Sequence, residues 1–292
     1  MIPPSITEAH PPMDLDELVA KIHRFASDSE ADRQAFVDQL VAIHPTLNVQ
    51  WGNGWSFRRA RLLKPDELPQ SIDDVIWPKN QPAQIGRANT KDCRVMYLAD
   101  RRDTALRETG VDRGWVVIAE FQIRPQRGIF ICPIGELSWI VRTGRGFLSG
   151  GASPILSSML NACAPRDSRS LIIADAFLYE EMTGHDDYHR SSRVAGAIFK
   201  KLDRVSAIAF SSRRQLGAIN LAVKADTFWE NWGLTSVRRA YAEHLALGFY
   251  GLTQVISVTG VHHSGKFQWQ ENATDEEVRI LLKPPYLPAQ MN

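Results

Sequence analysis

The residue types best suited to polar chemistry are concentrated in residues 86–110. This stretch carries Arg87, Tyr97 and Glu108. The pattern places the arginine in a loop, the tyrosine in a short apolar strand over 94–99, and the glutamate on a helix. A cation, an aromatic ring and an acid brought together form a polar pocket, which is more than a hydrophobic core requires. We therefore expect a polar ligand to bind there.

A helix is predicted to follow the charged loop at the end of that strand. Asp103 or Thr104 can serve as its N-cap, because short polar side chains accept hydrogen bonds from the first free amides of a helix. Glu108 would then lie early in the helix, with its side chain on one face.

Aromatic and basic residues alternate between residues 51 and 77. Phe57, Arg59 and Arg61 fall two residues apart, which predicts a strand with one basic face. One interpretation is a solvated edge strand protected by arginines. The other is an anion clamp, since guanidinium groups bind phosphate in a bidentate manner.

A second apolar strand, over residues 205–214, is predicted to end in two serines and two arginines. Small polar residues at strand ends are where α/β proteins place many binding sites. Ser211 or Ser212 could donate to a ligand, and Arg213 or Arg214 could hold an anion. Capping of a turn is the structural alternative for either serine. The serines do not stand in G-x-S-x-G, so a hydrolase nucleophile elbow is not supported.

Composition and charge exclude several classes of protein. The 292 residues are 44% apolar and 23% charged, with a formal net charge of +1. These values suit a soluble globular protein and argue against a strongly basic nucleic-acid surface, so we expect no direct nucleic-acid binding. No apolar span long enough for a membrane helix and no signal peptide is found. We expect a cytoplasmic protein.

No metal site is expected. Cys93, Cys132 and Cys163 stand far apart without a CxxC pair, which favours reduced thiols in a cytosolic protein. His262 and His263 are adjacent and are predicted to point to opposite faces of a strand, which makes them poor joint ligands.

The chain is predicted to divide into an N-terminal helical extension, residues 1–50, and one domain over 51–292. Two amphipathic helices are expected in the extension, the first with Asp14 as its N-cap. Residues 144–154 are rich in glycine, which favours a flexible loop over a phosphate cradle. Residues 170–179 fit either a helix or a strand, and 236–258 show helical spacing.

Taken together, these motifs resemble the RES domain family, named for arginine, glutamate and serine. The family pattern begins with an aromatic residue followed by arginine, which FRRAR matches, with Arg59 as the best equivalent. Its Gly-Arg-x-Asn motif is matched by residues 86–89, which include Arg87 and Asn89. YLA and TALxE segments follow at 97–99 and 104–108, then a tyrosine-led helix at Tyr188. The final strand ends in FSSRR, and Ser212 is the better match to the family serine. Ser211, which stands where the family usually has proline, is the alternative. The similarity covers residues 55–225.

The resemblance implies an α+β fold with a mixed central sheet, similar to ADP-ribosyltransferases and flanked by helices. It also implies an enzyme that cleaves the nicotinamide–ribose bond of NAD+ by phosphorolysis or hydrolysis, as toxins of type II toxin–antitoxin pairs do. NAD+ is then a substrate, phosphate a possible co-substrate, and no resident cofactor is expected. The usual partner is an antitoxin of helix-turn-helix type, and a homo-oligomer is left open.

The resemblance assigns roles to particular residues. Glu108 would stabilise positive charge on the ribose, and Arg59 and Arg87 would neutralise the pyrophosphate or an attacking phosphate. Tyr97 would stack on nicotinamide or bond the ribose, and Ser212 would orient the substrate through its hydroxyl. Further substrate contacts are expected from Asn89, Arg213 and Tyr188. Two alternatives remain: ADP-ribosyl transfer to a macromolecule, and a non-catalytic nucleotide-sensing module.

Overall fold

The computed structural model of the chain describes residues 5–78, 85–90, 93–184 and 188–274. Its α-helices are α1 (Ile6–Ala9), α2 (Leu15–Arg24), α3 (Glu30–Ile43), α4 (Arg102–Thr109), α5 (Glu136–Thr143), α6 (Ser153–Asn161), α7 (Pro165–Thr183), α8 (Tyr188–Lys201) and α9 (Phe228–Asn231). Its strands are β1 (Val49–Trp51), β2 (Ser56–Leu62), β3 (Val95–Ala99), β4 (Arg113–Ile123), β5 (Ile129–Pro133), β6 (Val205–Ser211), β7 (Ile219–Lys224), β8 (Trp232–Ala246), β9 (Phe249–Val261) and β10 (Phe267–Glu271).

The chain forms two compact units, each assembled from three stretches of sequence. The first unit comprises residues 1–49, 83–94 and 130–210. The second comprises residues 50–82, 95–129 and 211–292. The N-terminal helices thus belong with the middle of the chain. The division into an extension over 1–50 and a catalytic domain over 51–292 stays a prediction, and residues 275–292 of that domain lie outside the described part.

The N-terminal helices of the first unit begin where their caps predict. The Asp14 carboxylate accepts from the backbone amides of Asp16 and Glu17 at 2.9 and 3.1 Å, and α2 starts at the next residue. α3 buries an apolar face of Phe36, Val37, Leu40 and Val41. α2 packs on α7 and α3 packs on α8, so this apolar face is covered by the chain itself.

The first unit also contains a parallel strand pair, β5 and β6. The apolar run over 205–214 predicted the second of these strands, and β6 confirms it. Residues 170–179, which fitted either a helix or a strand, lie in the 19-residue helix α7.

The second unit is built on an antiparallel sheet in the order β7-β3-β2-β4-β8-β9-β10. The helical spacing of residues 236–258 predicts the wrong element, because these residues form the long hairpin of β8 and β9. Pairing to β4 along its length holds β8 extended, and Val237, Ala240 and Ala242 are completely buried there. Strands pair in parallel in the first unit and antiparallel in the second. The predicted α+β class, with mixed strand pairing and packed helices, is therefore confirmed.

Candidate functional site

Glu108 is carried by α4, which begins earlier than predicted and places Glu108 near its end. The helix starts at Arg102 with Arg101 as its N-cap, so Asp103 and Thr104 lie inside its first turn. It ends at Gly110, whose φ of 74° is the left-handed conformation that glycine adopts most readily. Glu108 therefore lies in the last turn instead of the first.

The position of α4 is fixed by a buried leucine. Leu106 is completely buried and packs with Val116 and Ile118 of β4, Ala242 of β8 and Tyr250 of β9. Leu106 is two residues from Glu108, so the core contact also fixes where the glutamate side chain leaves the helix.

The Glu108 carboxylate is held by two hydrogen bonds to the same oxygen. Its Oε1 accepts from the Ser212 hydroxyl at 2.8 Å and from the Asn220 side-chain amide at 2.7 Å. A negative charge at the C-terminal end of a helix is disfavoured by the helix dipole, and these donors offset that cost. The Glu108 side chain remains 35% exposed, so a substrate can reach it.

The structure distinguishes the two adjacent serines. Ser211 is the last residue of β6, and Ser212 begins the loop that leads to β7. The Ser212 backbone amide donates to the carbonyl oxygen of Ala218 at 2.8 Å, which closes this loop. Of the two, it is the Ser212 hydroxyl that contacts Glu108.

One residue of this cluster, Asn220, was missed from the sequence. Asn220 is a buried amide in the otherwise apolar start of β7, and a buried amide needs a hydrogen-bond partner, which is a signal the sequence could have supplied. Arg214, one of the two arginines named as able to hold an anion, lies with its Nε 3.9 Å from Oε2 of Glu108. Its Nη1 donates to the carbonyl oxygens of Arg107 and Glu108 at 3.2 and 3.4 Å. Arg213 is exposed, and its substrate contact stays a prediction.

Arg59 lies in an interior strand, so the interpretation as a solvated edge strand is wrong. β2 is flanked by β3 and β4. Arg59 Nε is buried without a hydrogen-bond partner among the described residues. Burial lowers the pKa of the Arg59 guanidinium, nearby Arg61 lowers it further, and Tyr97 acts in the opposite direction. A partly desolvated cation with an unused N–H is suited to bind an anion.

Tyr97 lies in the middle of β3, opposite Ala222 of β7. It is only partly shielded, between buried neighbours on both sides along the strand. Tyr97 on β3 and Arg59 on β2 lie on adjacent strands of the second unit, and a pocket that combines them stays a prediction.

Arg87, Asn89 and Tyr188 belong to the first unit. Arg87 Nη1 donates to the carbonyl oxygens of Met182 and Thr183 at 3.0 and 3.2 Å, at the end of α7. The Gly86 amide and the Asn89 carbonyl oxygen, 3.4 Å apart, close the turn that carries Arg87. Tyr188 is half exposed at the first described residue of α8, as the tyrosine-led helix predicts. The substrate contacts of these three residues stay predictions.

The glycine-rich loop over 144–154 folds around a carboxylate of the chain itself. Glu136 is completely buried, and it accepts from the backbone amides of Leu148 and Ser149. Because these amides are already occupied, they do not provide the phosphate cradle that was the alternative for this loop.

Two further kinds of feature, a metal-ligand cluster and a membrane-spanning helix, are absent from the described residues. No group there of three or more His, Cys, Asp or Glu side chains could hold a metal ion. His262 and His263 follow β9, and their rings contact each other with centroids 3.7 Å apart, so the predicted opposite orientation is wrong. In the same part of the chain, no helix has the length and apolar character needed to cross a bilayer.

The fold and the polar carboxylate cluster define an α+β protein with an acidic residue available to a ligand. The RES domain matches residues 60–231. The match spans more than half of the chain, so the protein belongs to the RES domain family, which is associated with NAD+-related toxins and toxin–antitoxin systems. The range includes Glu108, Ser212 and Asn220, whereas Arg59 lies one residue outside it. No curated protein and no solved structure matches the chain.

Proposed function

We propose that this protein degrades NAD+ by cleaving its nicotinamide–ribose bond, as a phosphorylase or a glycohydrolase, and that it acts as a toxin of a type II toxin–antitoxin pair. The observation that carries the proposal is the Glu108 carboxylate, which is fixed through Oε1 and still reachable from solvent in a chain of this family.

The proposed chemistry needs little more than a positioned negative charge. When the bond between ribose C1′ and the nicotinamide nitrogen breaks, its electron pair neutralises the cationic ring, so no strong general acid is required. Positive charge then develops on the ribose, as in other glycosyl transfers. A fixed carboxylate stabilises this charge and can accept from the ribose hydroxyls. Water or phosphate supplies the oxygen that completes the transfer.

Arg59 supports the proposal as the group that binds the anionic part of NAD+. Its buried Nε has no hydrogen-bond partner among the described residues, and a pyrophosphate oxygen would provide one. In the same scheme Tyr97 stacks on nicotinamide or bonds the ribose. Arg87, Asn89, Arg213 and Tyr188 keep the substrate-binding roles that the family pattern gives them.

The remaining elements of the proposal come from family membership. We propose an antitoxin protein of helix-turn-helix type as partner, and a catalytic fold similar to ADP-ribosyltransferases. Coexpression with such a protein should suppress both growth arrest and the loss of cellular NAD+.

The first experiment incubates purified protein with NAD+, with and without phosphate, and follows nicotinamide by chromatography. Release that depends on phosphate identifies a phosphorylase, and release without it a glycohydrolase. No release in either buffer contradicts the proposal. Label from NAD+ on a macromolecule would then identify a transferase, and saturable binding without turnover a nucleotide sensor.

Replacing Glu108 by Gln keeps the shape of the side chain and removes its charge. We expect kcat for nicotinamide release to fall a few hundredfold, because one transition-state charge contact contributes about 3–4 kcal/mol. The control is Glu271→Gln, an exposed glutamate on β10, which should match the parent. Equal rates for Glu108→Gln and the parent would refute the assignment.

A further inference from the structure

We infer that Ser212 and Asn220 are positioning residues, which hold one oxygen of Glu108 so that the other, Oε2, meets the substrate. This inference rests on the proposed function. It replaces the role expected for Ser212, that of a hydroxyl that binds the substrate directly.

The hydrogen-bonding capacity of Ser212 is fully used within the protein. A hydroxyl has one O–H donor and two acceptor lone pairs. Its donor goes to Oε1 of Glu108 at 2.8 Å. Its oxygen accepts from the backbone amides of Arg214 at 3.2 Å and Gln215 at 3.1 Å. Binding a substrate through this hydroxyl would therefore break a bond that already exists.

Asn220 makes the second contact to the same oxygen. An ionised carboxylate only accepts hydrogen bonds, so the amide nitrogen of Asn220 must face Glu108, as the 2.7 Å contact has it. The side chain is buried, and its backbone pairs with Ala99 of β3. A donor fixed in this way cannot follow a moving ligand, which suits a positioning role.

The two oxygens of Glu108 are thereby distinguished. Oε1 receives both donors, whereas the charged neighbour of Oε2 is Arg214 Nε, at the longer distance of 3.9 Å. Arg214 is half exposed and is anchored through Nη1 to carbonyl oxygens at the end of α4. Oε2 is thus the oxygen that a ribose hydroxyl can reach without displacing a buried donor.

The test compares Ser212→Ala and Asn220→Ala with the parent, as kcat and KM for NAD+. Each variant loses a hydrogen bond to a charged group, and the transition state loses the corresponding stabilisation. We therefore expect kcat to fall about ten- to a hundredfold, with little change in KM. A rise in KM at constant kcat would mean direct contact with bound substrate and would overturn the inference.

Two further variants separate positioning from simple loss of structure. Asn220→Asp cannot donate while ionised but can when protonated, so its activity relative to the parent should rise as the pH falls. In the Glu108→Gln background, adding Ser212→Ala should cost little, because a residue that acts through Glu108 has nothing left to position. A full additional loss there, or a pH profile parallel to that of the parent, would contradict the inference. Thermal unfolding reports whether each variant is folded.

Failure of the proposed function can be told from failure of this inference. If the parent protein releases no nicotinamide, only the proposed function is contradicted. Crystal structures of the parent and Asn220→Ala then test the latter, which requires Oε1 to be bonded to both donors in the parent and the carboxylate to be displaced in the variant.

Discussion

At the residue scale, Arg59 combines features that stability alone does not favour. Its Nε is buried and has no partner in the part of the chain that the structure describes, and Arg61 on the same strand adds a second positive charge. Leaving a charged donor unsatisfied in the interior costs free energy. Such a cost is typical of residues kept for binding, because the missing partner can come from a ligand.

Replacing Arg59 by Met tests this interpretation, because it should weaken NAD+ binding without lowering the stability of the ligand-free protein. We expect the Kd for NAD+ to rise tenfold or more, since a charge-assisted hydrogen bond is lost. The ligand-free protein should unfold at the same urea concentration as the parent or a higher one, because a buried N–H without a partner among the described residues has been removed. Calorimetry and urea titration measure the two effects. Arg127→Met, at an exposed position, is the control, and unchanged affinity in Arg59→Met would rule out an anion-binding role.

At the scale of elements, the loop after α5 shows how a glycine-rich segment can be ordered by one carboxylate. Glu136 lies in the first turn of α5, and the loop returns so that its amides meet this side chain. Gly146 lies so close to the carboxylate that a Cβ there would overlap it. Gly151, five residues further on, has open space around it.

This difference predicts the outcome of a matched pair of substitutions. Gly146→Ala should lower the free energy of unfolding by about 1–3 kcal/mol, because the loop or Glu136 must shift to admit the methyl group. Gly151→Ala should change it by less than about 0.5 kcal/mol. Neither glycine has a positive φ, so backbone strain does not distinguish the pair. Urea denaturation decides, and equal losses would show that the contact with Glu136 is unimportant.

At the scale of the whole molecule, two buried groups of the first unit link stability to pH with opposite signs. Burial, with Lys201 nearby, lowers the pKa of His44 to about 4. The folded protein therefore loses stability as the pH falls from 6.5 to 4, where an unfolded chain would already bind the proton. Burial also raises the pKa of Asp175 to about 6 against the pull of three backbone amides, and Glu136 adds to the rise. This group adds stability as the pH falls from 6 towards 3.8, and that contribution is lost as the pH rises again.

Replacing each group, and comparing the variant with the parent, should reveal how that group contributes to the pH dependence of stability. Relative to the parent, His44→Leu should gain unfolding free energy on acidification from pH 6.5 to 4, by at most about 1.4 kcal/mol per pH unit. Asp175→Asn should lose a similar amount between pH 6 and 4. The measurement is urea denaturation at pH 7, 6, 5 and 4. Profiles parallel to that of the parent in both variants would contradict these assignments.

The sequence by itself determined the local elements and the family. Asp14 and Ser29 begin their helices because a side chain can cap amides two or three residues away, so cause and effect lie within one turn. β3 and β6 were predicted because continuous apolar runs must be buried. Glu108 and Ser212 were singled out because the motif residues that carry the family resemblance are themselves a property of the sequence.

Only the tertiary structure decided how these residues are used. Glu108 is separated from Ser212 by 104 positions and from Asn220 by 112, and no local pattern specifies that three such residues meet at one oxygen. The contact between Ser212 and Glu108, the interior position of the strand that carries Arg59 and the β8–β9 hairpin likewise depend on strand pairing. Pairing partners are selected by packing across the whole sheet, which overrides local spacing, and so the geometry of the carboxylate cluster arises only once the chain is folded.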